Sequence, residues 1–309
     1  MAGRSLHHAM STPAPHFSII VAVYNDWKPL EICLRSLSQQ VDAPAFEVIV
    51  VDDGSDQEAP ESIRNWSQRF CVTILRQQHA GISATRNRGI QGARGSILVF
   101  TDADCEMQSN CLAALAAAIS ASPQHSCFQL HLAGERSNLA GQAEELRLMS
   151  LQRQTLQSNG CIRYLNTAGF AVRRAFVGAD AQLFDPVARR AEDTLLLAHL
   201  IEKGELPFFV PDAIVQHRIE RSWLHCLVKD ARSAWIEGPA YDMIAAKGVN
   251  VRMSDAARMK VMRSMWKSAE EESIGKMGWF LVIARRTVNR IVRSLYKVLR
   301  SSKLLSETH

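Results

Sequence analysis

The chain has no closely spaced pair of cysteines. Its 309 residues contain seven cysteines and no Cys-x-x-Cys motif. An odd number of scattered thiols excludes the regular frame of a disulfide-rich secreted domain, and it lacks the paired spacing of a structural zinc site. The cysteines are at positions 33, 71, 105, 111, 127, 161 and 226. This pattern predicts reduced thiols in a cytoplasmic protein.

The chain also has little continuous apolar sequence. The longest apolar run near the C-terminus covers residues 277–284 apart from Gly278, whereas a membrane-spanning helix needs about 20 apolar residues. Residues 1–16 have no apolar core of the kind found in a secretory signal, and we expect them to form a flexible N-terminus. The sequence therefore predicts a cytoplasmic protein, with at most a peripheral position at the cytoplasmic face of a membrane.

Basic residues are concentrated in the last third of the chain. From Arg218 to the C-terminus there are 18 Lys+Arg and 9 Asp+Glu, a net charge of +9, whereas the preceding residues have 18 and 22, a net charge of −4. Because the basic surplus is separated from the rest of the chain, it indicates contact with an anionic membrane surface or another anionic partner. We expect no nucleic-acid partner.

Strand and helix patterns alternate in the first part of the chain. Apolar runs predict strands, and the stretches between them have helical periodicity. The runs are 17–23, 46–51, 72–75, 97–100, 170–172, 208–210 and 214–215. Continuous apolar strands alternating with helices predict a mainly parallel sheet that is covered on both faces. We predict an α/β domain over residues 17–220, with a mixed, mainly parallel sheet flanked by helices, and a helical C-terminal appendage over residues 221–309.

Three short acidic segments lie at the ends of these predicted elements. Asp52-Asp53-Gly54-Ser55 follows the second strand, Asp102-Ala103-Asp104 follows the fourth strand, and Glu192-Asp193 begins a helical stretch. Ligands of parallel sheets bind outside the carboxyl ends of the strands, where Tyr24 would also lie. Two carboxylates one residue apart raise each other's pKa unless a cation neutralises them, and Mg²⁺ and Mn²⁺ prefer oxygen ligands. The segments indicate a site for a divalent metal, a phosphate-bearing substrate and a proton.

The order of these motifs resembles that of the inverting family-2 glycosyltransferases of the GT-A fold. The resemblance covers about residues 17–217 and rests on several motifs in the same order. They are Val23-Tyr24-Asn25, Asp52-Asp53-Gly54-Ser55, the segment from His79 to Gly89, Asp102-Ala103-Asp104, the segment from Asn166 to Arg174, and Glu192-Asp193 with a strand that ends at His217. The resemblance implies a GT-A, Rossmann-like fold and a nucleotide-sugar donor.

In that family the nucleotide lies across the ends of the first strands. The resemblance implies that Tyr24 stacks on the base, that Asp53 accepts a hydrogen bond from a base N–H, and that Arg86 reaches the base or the diphosphate. It favours a UDP-linked donor, although Ala22 replaces a proline or hydroxyl residue that is common in the family. The alternatives are an ordinary Asp-Gly-Ser turn and a solvated helical arginine.

The resemblance assigns the metal site to the second acidic segment. Asp104 would bind Mn²⁺ or Mg²⁺ directly, Asp102 would contact the ribose or the waters of the metal, and His217 would complete the site. The metal would bridge the diphosphate oxygens and offset the charge on the leaving nucleotide. The alternatives are that the two aspartates cap the helix that starts at Asn110 and that His217 is a structural histidine.

Asp193 is the candidate general base. By resemblance it would take the proton from an acceptor hydroxyl as that oxygen attacks the anomeric carbon, and this single displacement inverts the anomeric centre. Its position at a helix N-terminus predicts an ionised carboxylate, because the helix dipole favours a negative charge there. The alternative is helix capping, either by Asp193 alone or shared with Glu192.

Residues 279–300 form a basic amphipathic pattern. Cations alternate with apolar residues at helical spacing, and they are Arg285, Arg286, Arg290, Arg293, Lys297 and Arg300. Such a helix can lie in the interface of an anionic membrane, with Trp279 and Phe280 inserted. The alternative is that it packs on the catalytic domain or on a second subunit. Because every proposed catalytic residue precedes it, we expect a chain that ends near Lys276 to keep its activity.

Taken with the resemblance, the sequence predicts an inverting, metal-dependent glycosyltransferase. It would add one sugar per encounter to a hydroxyl of a glycan, of a lipid-linked acceptor or of another acceptor. Non-processive transfer is favoured because the chain lacks Gln-x-x-Arg-Trp, the motif associated with processive synthases of that family. Three alternatives stay open: glycosyl transfer to a polyprenyl phosphate at the membrane, nucleotide-sugar binding without turnover, and metal-dependent nucleotidyl transfer.

Overall fold

The computed structural model of the chain describes residues 15–68, 70–186, 188, 190–218, 222–246, 248–249, 251, 254–271, 274 and 276–301. The N-terminal segment expected to be flexible, residues 1–16, lies outside these residues except for Pro15 and His16. Among the described residues, a sheet flanked by helices is followed by a group of further helices. None of the helices in this part of the chain combines the length and the hydropathy that crossing a bilayer requires.

The sheet has eight strands in the order β3-β2-β1-β4-β7-β6-β8-β5. The strands are β1 (Phe17–Val23), β2 (Phe46–Asp52), β3 (Val72–Arg76), β4 (Ile97–Asp102), β5 (Cys105–Met107), β6 (Cys127–Gly134), β7 (Phe170–Arg173) and β8 (Phe208–His217). The pairs β1–β2, β1–β4, β2–β3 and β6–β8 are parallel. The pairs β4–β7, β6–β7 and β5–β8 are antiparallel. The predicted mixed, mainly parallel sheet is confirmed.

Some helices connect the strands of the sheet, and further helices follow the last strand along the chain. They are α1 (Trp27–Ser38), α2 (Glu61–Arg64), α3 (Ile82–Gly92), α4 (Cys111–Ala121), α5 (Leu139–Thr155), α6 (Arg174–Val177), α7 (Glu192–Glu202), α8 (Trp223–Ile236), α9 (Gly238–Ala246), α10 (Asp255–Glu271) and α11 (Lys276–Ser301), with 3-10 turns at Asn65–Gln68 and Thr167–Gly169. In α1 the residues Leu30, Cys33, Leu34 and Leu37 are buried. Their helical spacing is the pattern that predicts this helix from the sequence.

The central strands are buried on both faces. In β1, Ile19 and Val21 belong to one apolar cluster, whereas Ile20 belongs to a second. A continuous apolar run therefore serves both layers, as expected of a buried parallel strand. The strand register pairs Val23 with Asp52 and Ala22 with Asp102. The carboxyl ends of β1, β2 and β4 consequently lie side by side, and the acidic segments project from one edge of the sheet.

The sequence pattern does not predict two of the strands. β5 has only three residues, which is too short to show a period. β6 contains Gln129, which is fully buried. Its amide nitrogen donates to the carbonyl of Gly169 (2.7 Å), and its amide oxygen accepts from the backbone N–H of Asn166 (2.8 Å). Because these bonds satisfy the amide, a polar residue is tolerated inside a buried strand. The two short strands predicted at 208–210 and 214–215 are parts of one longer strand, β8.

The C-terminal helices pack against α5. Leu281 and Val282 of α11 are buried together with Ala143 of α5 and with Val261 and Met265 of α10. Burying a Leu or Val side chain stabilises a folded chain by about 1.5–3 kcal/mol. An apolar core therefore attaches α11 to the sheet through α5. The division of the chain at residue 220 stays a prediction.

Candidate active site

Tyr24 and Asp53, the predicted contacts of the base, lie at the ends of β1 and β2. The Tyr24 side chain is 46 % exposed, and the centroid of its ring is 4.5 Å from that of His79. His79 Nδ1 is 3.0 Å from Asp53 Oδ2. An exposed ring beside a second ring offers a stacking surface for a nucleobase. His79 thus joins the two predicted residues, although no sequence signal beyond its place in the third motif marks it.

The Asp53 carboxylate holds the loop before α3. Oδ1 accepts from the backbone N–H of Ala80 (2.9 Å) and from Gln77 Nε2 (2.8 Å), and Oδ2 accepts from the backbone N–H of Gly81 (2.9 Å). The residue is buried. Both oxygens are therefore engaged within the protein, and a base N–H would have to share one of them.

Hydrogen bonds lock the loops that follow β1 and β2 together. The backbone N–H of Asn25 donates to Ser55 Oγ (2.9 Å), and the Asn25 side chain exchanges hydrogen bonds with Asp56. Gly54 has a φ of +77°, and a Cβ there would lie 2.8 Å from the backbone nitrogen of His79. Glycine is required at this turn because it alone tolerates both conditions. The Asp-Gly-Ser segment thus needs a glycine at its centre, and it presents Asp53 to the loop before α3.

Arg86 is buried between two acidic segments. Its Nη2 donates to Asp102 Oδ1 (2.8 Å) and its Nη1 donates to Glu192 Oε1 (2.7 Å). The guanidinium carbon lies 5.5 Å from the centroid of the Phe184 ring. Since the side chain is only 3 % exposed, the alternative of a solvated helical arginine is wrong. We refer to Arg86 with Asp102 and Glu192 as the Arg86 bridge.

Asp193, the predicted base, lies beside the Arg86 bridge. Thr167 Oγ1 donates to Asp193 Oδ1 (2.8 Å). Burial, and next to it the Glu192 carboxylate, raise the pKa of Asp193 well above its ordinary value. At Glu192, burial also opposes ionisation, but Arg86 outweighs it and lowers the pKa. Burial and a like charge thus act on Asp193 against the helix dipole, which favours the ionised carboxylate. Two neighbouring carboxyls with divergent pKa values are typical of acid–base sites.

Asp104 and His217, the predicted metal ligands, lie together just beyond the end of β4. The antiparallel pairing of β5 with β8 places Cys105 opposite His217, and His217 Nε2 is 3.3 Å from Asp104 Oδ2. Burial opposes both charged forms, but the bond between them lowers the pKa of Asp104 and raises the pKa of His217. With Asp102 held by Arg86 and Asp104 held by His217, the contacts argue against the alternative that these aspartates cap α4.

These residues fit a divalent cation. Asp104, Cys105 and His217 each offer a ligand atom, and the three atoms lie within 4.8 Å of one another; no other such cluster occurs in the described part of the chain. The carboxylate oxygen suits Mn²⁺ or Mg²⁺, and an imidazole nitrogen suits transition-metal ions, so the two together fit Mn²⁺ better than Mg²⁺. A cysteine sulfur suits softer metals than these, and burial, followed by the charge of Asp104, raises the pKa of the Cys105 thiol above its ordinary value. The fitting pair is therefore Asp104 with His217.

Charged residues without any sequence signal lie behind His217. Glu144 of α5 is 4 % exposed, accepts from Arg147 Nε (2.9 Å), and lies 3.9 Å from His217 Nδ1. Arg285 Nη1 of α11 lies 3.5 Å from Glu144 Oε2. The Arg285 guanidinium also donates to both carboxylate oxygens of Asp230 on α8 (2.6 and 3.1 Å). Helices from the C-terminal region thus contribute charges next to the predicted metal ligands.

A cavity of about 440 Å³ opens between the predicted metal ligands and the C-terminal helices. Asp104 and His217 line one side of it, and Lys229, Asp230 and Arg285 line the other. Convergent polar groups around a concave space are typical of a site for a small molecule or for part of a larger one. The predicted residues therefore form three adjoining groups: the base contacts, the Arg86 bridge with Asp193, and the metal ligands with this cavity.

Residues 18–177, more than half of the chain, match the sequence profile of the family described as Glycosyl transferase family 2. EpsH of Bacillus subtilis (strain 168) is 38 % identical to the chain over 98 residues. That match covers 31 % of this chain and 27 % of EpsH. The chain therefore matches about a quarter of the length of this curated relative.

Two solved structures resemble the chain over nearly its whole length. S. aureus TarS 1-349 in complex with UDP has a TM-score of 0.54 and 18 % identity, and covers 93 % of this chain and 91 % of its own. The mannosyltransferase PcManGT from Pyrobaculum calidifontis, in complex with GDP-Man and Mn²⁺, has a TM-score of 0.57 and 17 % identity, and covers 96 % and 89 %. At these identities the likeness concerns the fold. Together with the profile match, the fold makes the chain a member of glycosyl transferase family 2 with a GT-A architecture.

Proposed function

We propose that the chain transfers one sugar from a UDP-linked donor to an acceptor hydroxyl, with inversion and with the help of a divalent cation. The single observation on which this rests is the Asp104–His217 pair beside the Arg86 bridge at the end of β4. The segment Asp102-Ala103-Asp104 thereby supplies Asp104 as the proposed metal ligand and Asp102 as a carboxylate that Arg86 holds. Groups of this kind stabilise the charge that develops on a leaving diphosphate.

The base contacts would receive the donor nucleotide. Tyr24 and His79 offer the stacking surface, and Asp53 with the loop it holds would contact the base edge. TarS has been solved with UDP and UDP-GlcNAc, and PcManGT with GDP-Man and Mn²⁺, which supports a nucleotide sugar in this place. The choice of uracil rests on Asp53, since a carboxylate oxygen can accept from a pyrimidine imide N–H.

Asp104 and His217 would hold Mn²⁺ or Mg²⁺. When bound, the cation would offset the negative charge that the diphosphate gains as the bond to the sugar breaks. Arg86 occupies one oxygen of Asp102 and would keep the other in position for a ribose hydroxyl. The role of Arg86 proposed here is therefore to orient Asp102, and direct contact with the phosphates is not required.

Asp193 would act as the base. Its carboxylate would take the proton of the acceptor hydroxyl while the acceptor oxygen attacks the anomeric carbon and the nucleoside diphosphate departs from the opposite face. The raised pKa of Asp193 increases its affinity for that proton once it is ionised. The Thr167 hydroxyl, which donates to Asp193 Oδ1, would fix the carboxylate during the transfer.

The acceptor would enter through the cavity beside Asp104 and His217. We propose a hydroxyl of a glycan or of a lipid-linked saccharide as the acceptor. Transfer to a polyprenyl phosphate is the second candidate, and the cations Lys229 and Arg285 in the cavity wall are the observation that favours it. In that case the acceptor is already an anion, so Asp193 would not be needed as a base.

A peripheral contact with the cytoplasmic face of an anionic membrane is proposed for α11. One face of this helix is buried against α5, whereas apolar residues on the opposite face are exposed, among them Phe280, Ile291, Leu295 and Val298. Arg290 and Lys297 flank this exposed stripe, and cations near an anionic surface each contribute about 1 kcal/mol.

Two details of the membrane expectation change with the structure. Trp279 does not project outward: its Nε1 donates to the carbonyl of Met262 (3.2 Å), and its ring packs edge-on against Trp266. Arg285 forms an ion pair with Asp230 of α8, and Arg293 forms one with Glu237, the residue that follows α8. Since these cations are engaged inside the protein, the proposed contact relies more on the apolar stripe and less on charge.

The decisive experiment measures binding and turnover separately. Thermal shifts with UDP-GlcNAc, UDP-glucose and GDP-mannose, each with Mn²⁺ and with EDTA, identify the donor because a ligand of the folded state raises the melting temperature. Release of free nucleoside diphosphate in the presence of acceptors then reports transfer. We expect a metal-dependent shift with a UDP-sugar, and loss of that metal dependence in Asp104→Asn.

Each alternative gives a different result. A donor-induced shift without nucleotide release under any acceptor would identify a binding protein without turnover. Release of pyrophosphate would identify nucleotidyl transfer. Normal turnover in EDTA would refute the metal-dependent mechanism.

The membrane contact is tested by flotation with anionic vesicles. Binding should weaken in a variant with both Ile291→Ser and Leu295→Ser, and it should stay unchanged in Val41→Ser, a substitution at another exposed apolar residue.

A further inference from the structure

We infer that Glu144 and Arg285 are positioning residues for His217, so that α11 of the C-terminal region takes part in forming the metal site. This inference rests on the proposed metal-dependent function. It is supported by a series of ion pairs that links His217, the predicted metal ligand on the sheet, to Glu144 of α5, Arg285 of α11 and Asp230 of α8.

The first contacts in the series lie on either side of the His217 ring. Nε2 is 3.3 Å from Asp104 Oδ2, and Nδ1 is 3.9 Å from Glu144 Oε1. The second distance is longer than a hydrogen bond, so Glu144 acts through its charge. A carboxylate facing Nδ1 favours a proton on that nitrogen, so that Nε2 could offer its lone pair to a cation once one is bound.

The position of Glu144 depends on two arginines. Arg147, three residues further along α5, donates to both of its oxygens, and Arg285 Nη1 lies 3.5 Å from Oε2. A buried carboxylate would otherwise take up a proton or leave the site, because burial disfavours its charge. In this protein the two guanidinium groups balance that charge. The charge that faces His217 is thus maintained by residues of two helices.

Arg285 is itself fixed from the C-terminal side. Its guanidinium makes two hydrogen bonds with Asp230 of α8, and this geometry leaves Nη1 directed at Glu144. Nη1 is buried and makes no hydrogen bond with the described residues. Its remaining role is therefore electrostatic and directed at the Glu144 carboxylate. Loss of Arg285 would release Glu144 on one side while Arg147 still holds the other.

α11 also provides a matched control. Arg293, eight residues beyond Arg285 on the same helix, pairs with Glu237, the residue that follows α8. It also lies over the Tyr241 ring, 4.5 Å from its centroid. If the role of Arg285 is only to hold α11 onto α8, then Arg285→Met and Arg293→Met should have equal effects. If Arg285 positions His217, only its loss should affect the metal site.

The test is the affinity for Mn²⁺, measured by electron paramagnetic resonance of the full chain with saturating UDP. Removing a residue that orients a metal ligand typically weakens metal binding by about 10–100-fold. We expect a loss in this range for Glu144→Gln, and a loss of about tenfold for Arg285→Met that Arg285→Lys partly restores. Arg293→Met should bind Mn²⁺ like the wild type. Equal Mn²⁺ affinity in Arg285→Met and Arg293→Met, in variants with native circular dichroism, would overturn the inference.

A second measurement separates this inference from the proposed function. In protein labelled with ¹⁵N at histidine, the ring nitrogen signals of His217, assigned with His217→Gln, report whether the ring is held in one position without any metal. We expect a single sharp set of signals in the wild type and in Arg293→Met, and broadened or doubled signals in Glu144→Gln and Arg285→Met. If no variant binds Mn²⁺, the metal-dependent function fails, and these spectra alone decide the positioning role. A single sharp set in Glu144→Gln would refute it.

Discussion

The Arg86 bridge is predicted to stabilise the fold as well as to orient Asp102. Arg86→Met removes a buried cation from two carboxylates that it contacts at 2.8 and 2.7 Å. Breaking a buried ion pair by removing one partner costs about 3–5 kcal/mol, because the other charge is left without compensation. The Asp102 side chain is 35 % exposed and can be rehydrated, whereas that of Glu192 is 11 % exposed. Most of the loss should therefore come from Glu192, and we expect about 3 kcal/mol.

Equilibrium unfolding in urea measures this loss as a change in the free energy of unfolding. In Arg86→Met with Glu192→Gln the uncompensated charge is absent, so we expect the double variant to regain about half of the loss. Arg35→Met breaks an exposed helical pair with Glu31 and should cost less than about 0.5 kcal/mol. If Arg86→Met unfolds at the same urea concentration as the wild type but no longer binds the donor, the stabilising role of the Arg86 bridge is refuted. That result would support the predicted contact of Arg86 with the donor.

The pH dependence gives an independent check on the bridge. Arg86 lowers the pKa of Glu192 below its ordinary value of 4.5. A lowered pKa in the folded state means that the contribution is present above the pKa of the unfolded carboxyl and is lost as the pH falls through the folded pKa. The wild-type free energy of unfolding should therefore contain this contribution in full near pH 7 and lose it as the pH falls below about 5, whereas Arg86→Met, in which nothing opposes the effect of burial, should not show this loss.

Three further predictions concern the base, the metal and the C-terminal core. Asp193→Asn should lower kcat by about 10²–10⁴-fold, and calorimetry should show that donor binding is preserved. Because the pKa of Asp193 is raised, the acidic limb of the wild-type pH–rate profile should lie above the range of an ordinary carboxyl. An acidic limb that the substitution leaves unchanged would contradict this role. Asp104→Asn should lower transfer in the presence of Mn²⁺ by orders of magnitude, and EDTA should abolish transfer by the wild type reversibly. Equal wild-type rates with and without Mn²⁺ would contradict this. Leu281→Ala should lower the free energy of unfolding by about 2–5 kcal/mol, whereas the exposed Leu295→Ala should change it by less than about 0.5 kcal/mol; similar values for the two would show that α11 is not packed on α5.

The sheet could be predicted from the sequence where a strand contains a continuous apolar run. β1, β2 and β4 are buried and contain such runs at 19–23, 48–51 and 97–100, because Ser18 and Glu47 lie near the starts of β1 and β2. In β6, Gln129 and His131 interrupt the apolar run near its middle. The hydrogen bonds that satisfy Gln129, to Asn166 and Gly169, become visible only when the chain is folded.

Sequence motifs single out candidate site residues, but they do not predict the contacts between them. Tyr24, Asp53, Asp104 and His217 belong to motifs, and the structure brings the last two into contact. That Arg86 would bridge Asp102 and Glu192 could not be predicted, because the partners are separated by 16 and 106 residues along the chain. A buried ion pair depends on tertiary packing, and no local period records it.

The charges behind His217 are hidden for a further reason. Glu144 and Arg147 have the i,i+3 spacing of an ordinary solvated helix pair, and Arg285 lies in a run of cations that is typical of a membrane-binding helix. Their burial follows from the docking of α11 on α5, which depends on Leu281 and Val282. The same hydropathy pattern is compatible with a helix on a membrane and with a helix on a protein core, and α11 has features of both.

These two faces of α11 decide how its roles have to be tested. One face buries Leu281 and Val282 and directs Arg285 at Glu144, while the opposite face exposes Ile291 and Leu295. A chain that ends near Lys276 would lose both faces at once, so the expectation that it keeps full activity no longer follows from the position of the catalytic residues. Loss of activity on truncation could then arise from an opened core, from a released Glu144 or from a lost membrane contact. Single substitutions on one face separate these causes, because burial by α5 and exposure to a bilayer involve different side chains of the same helix.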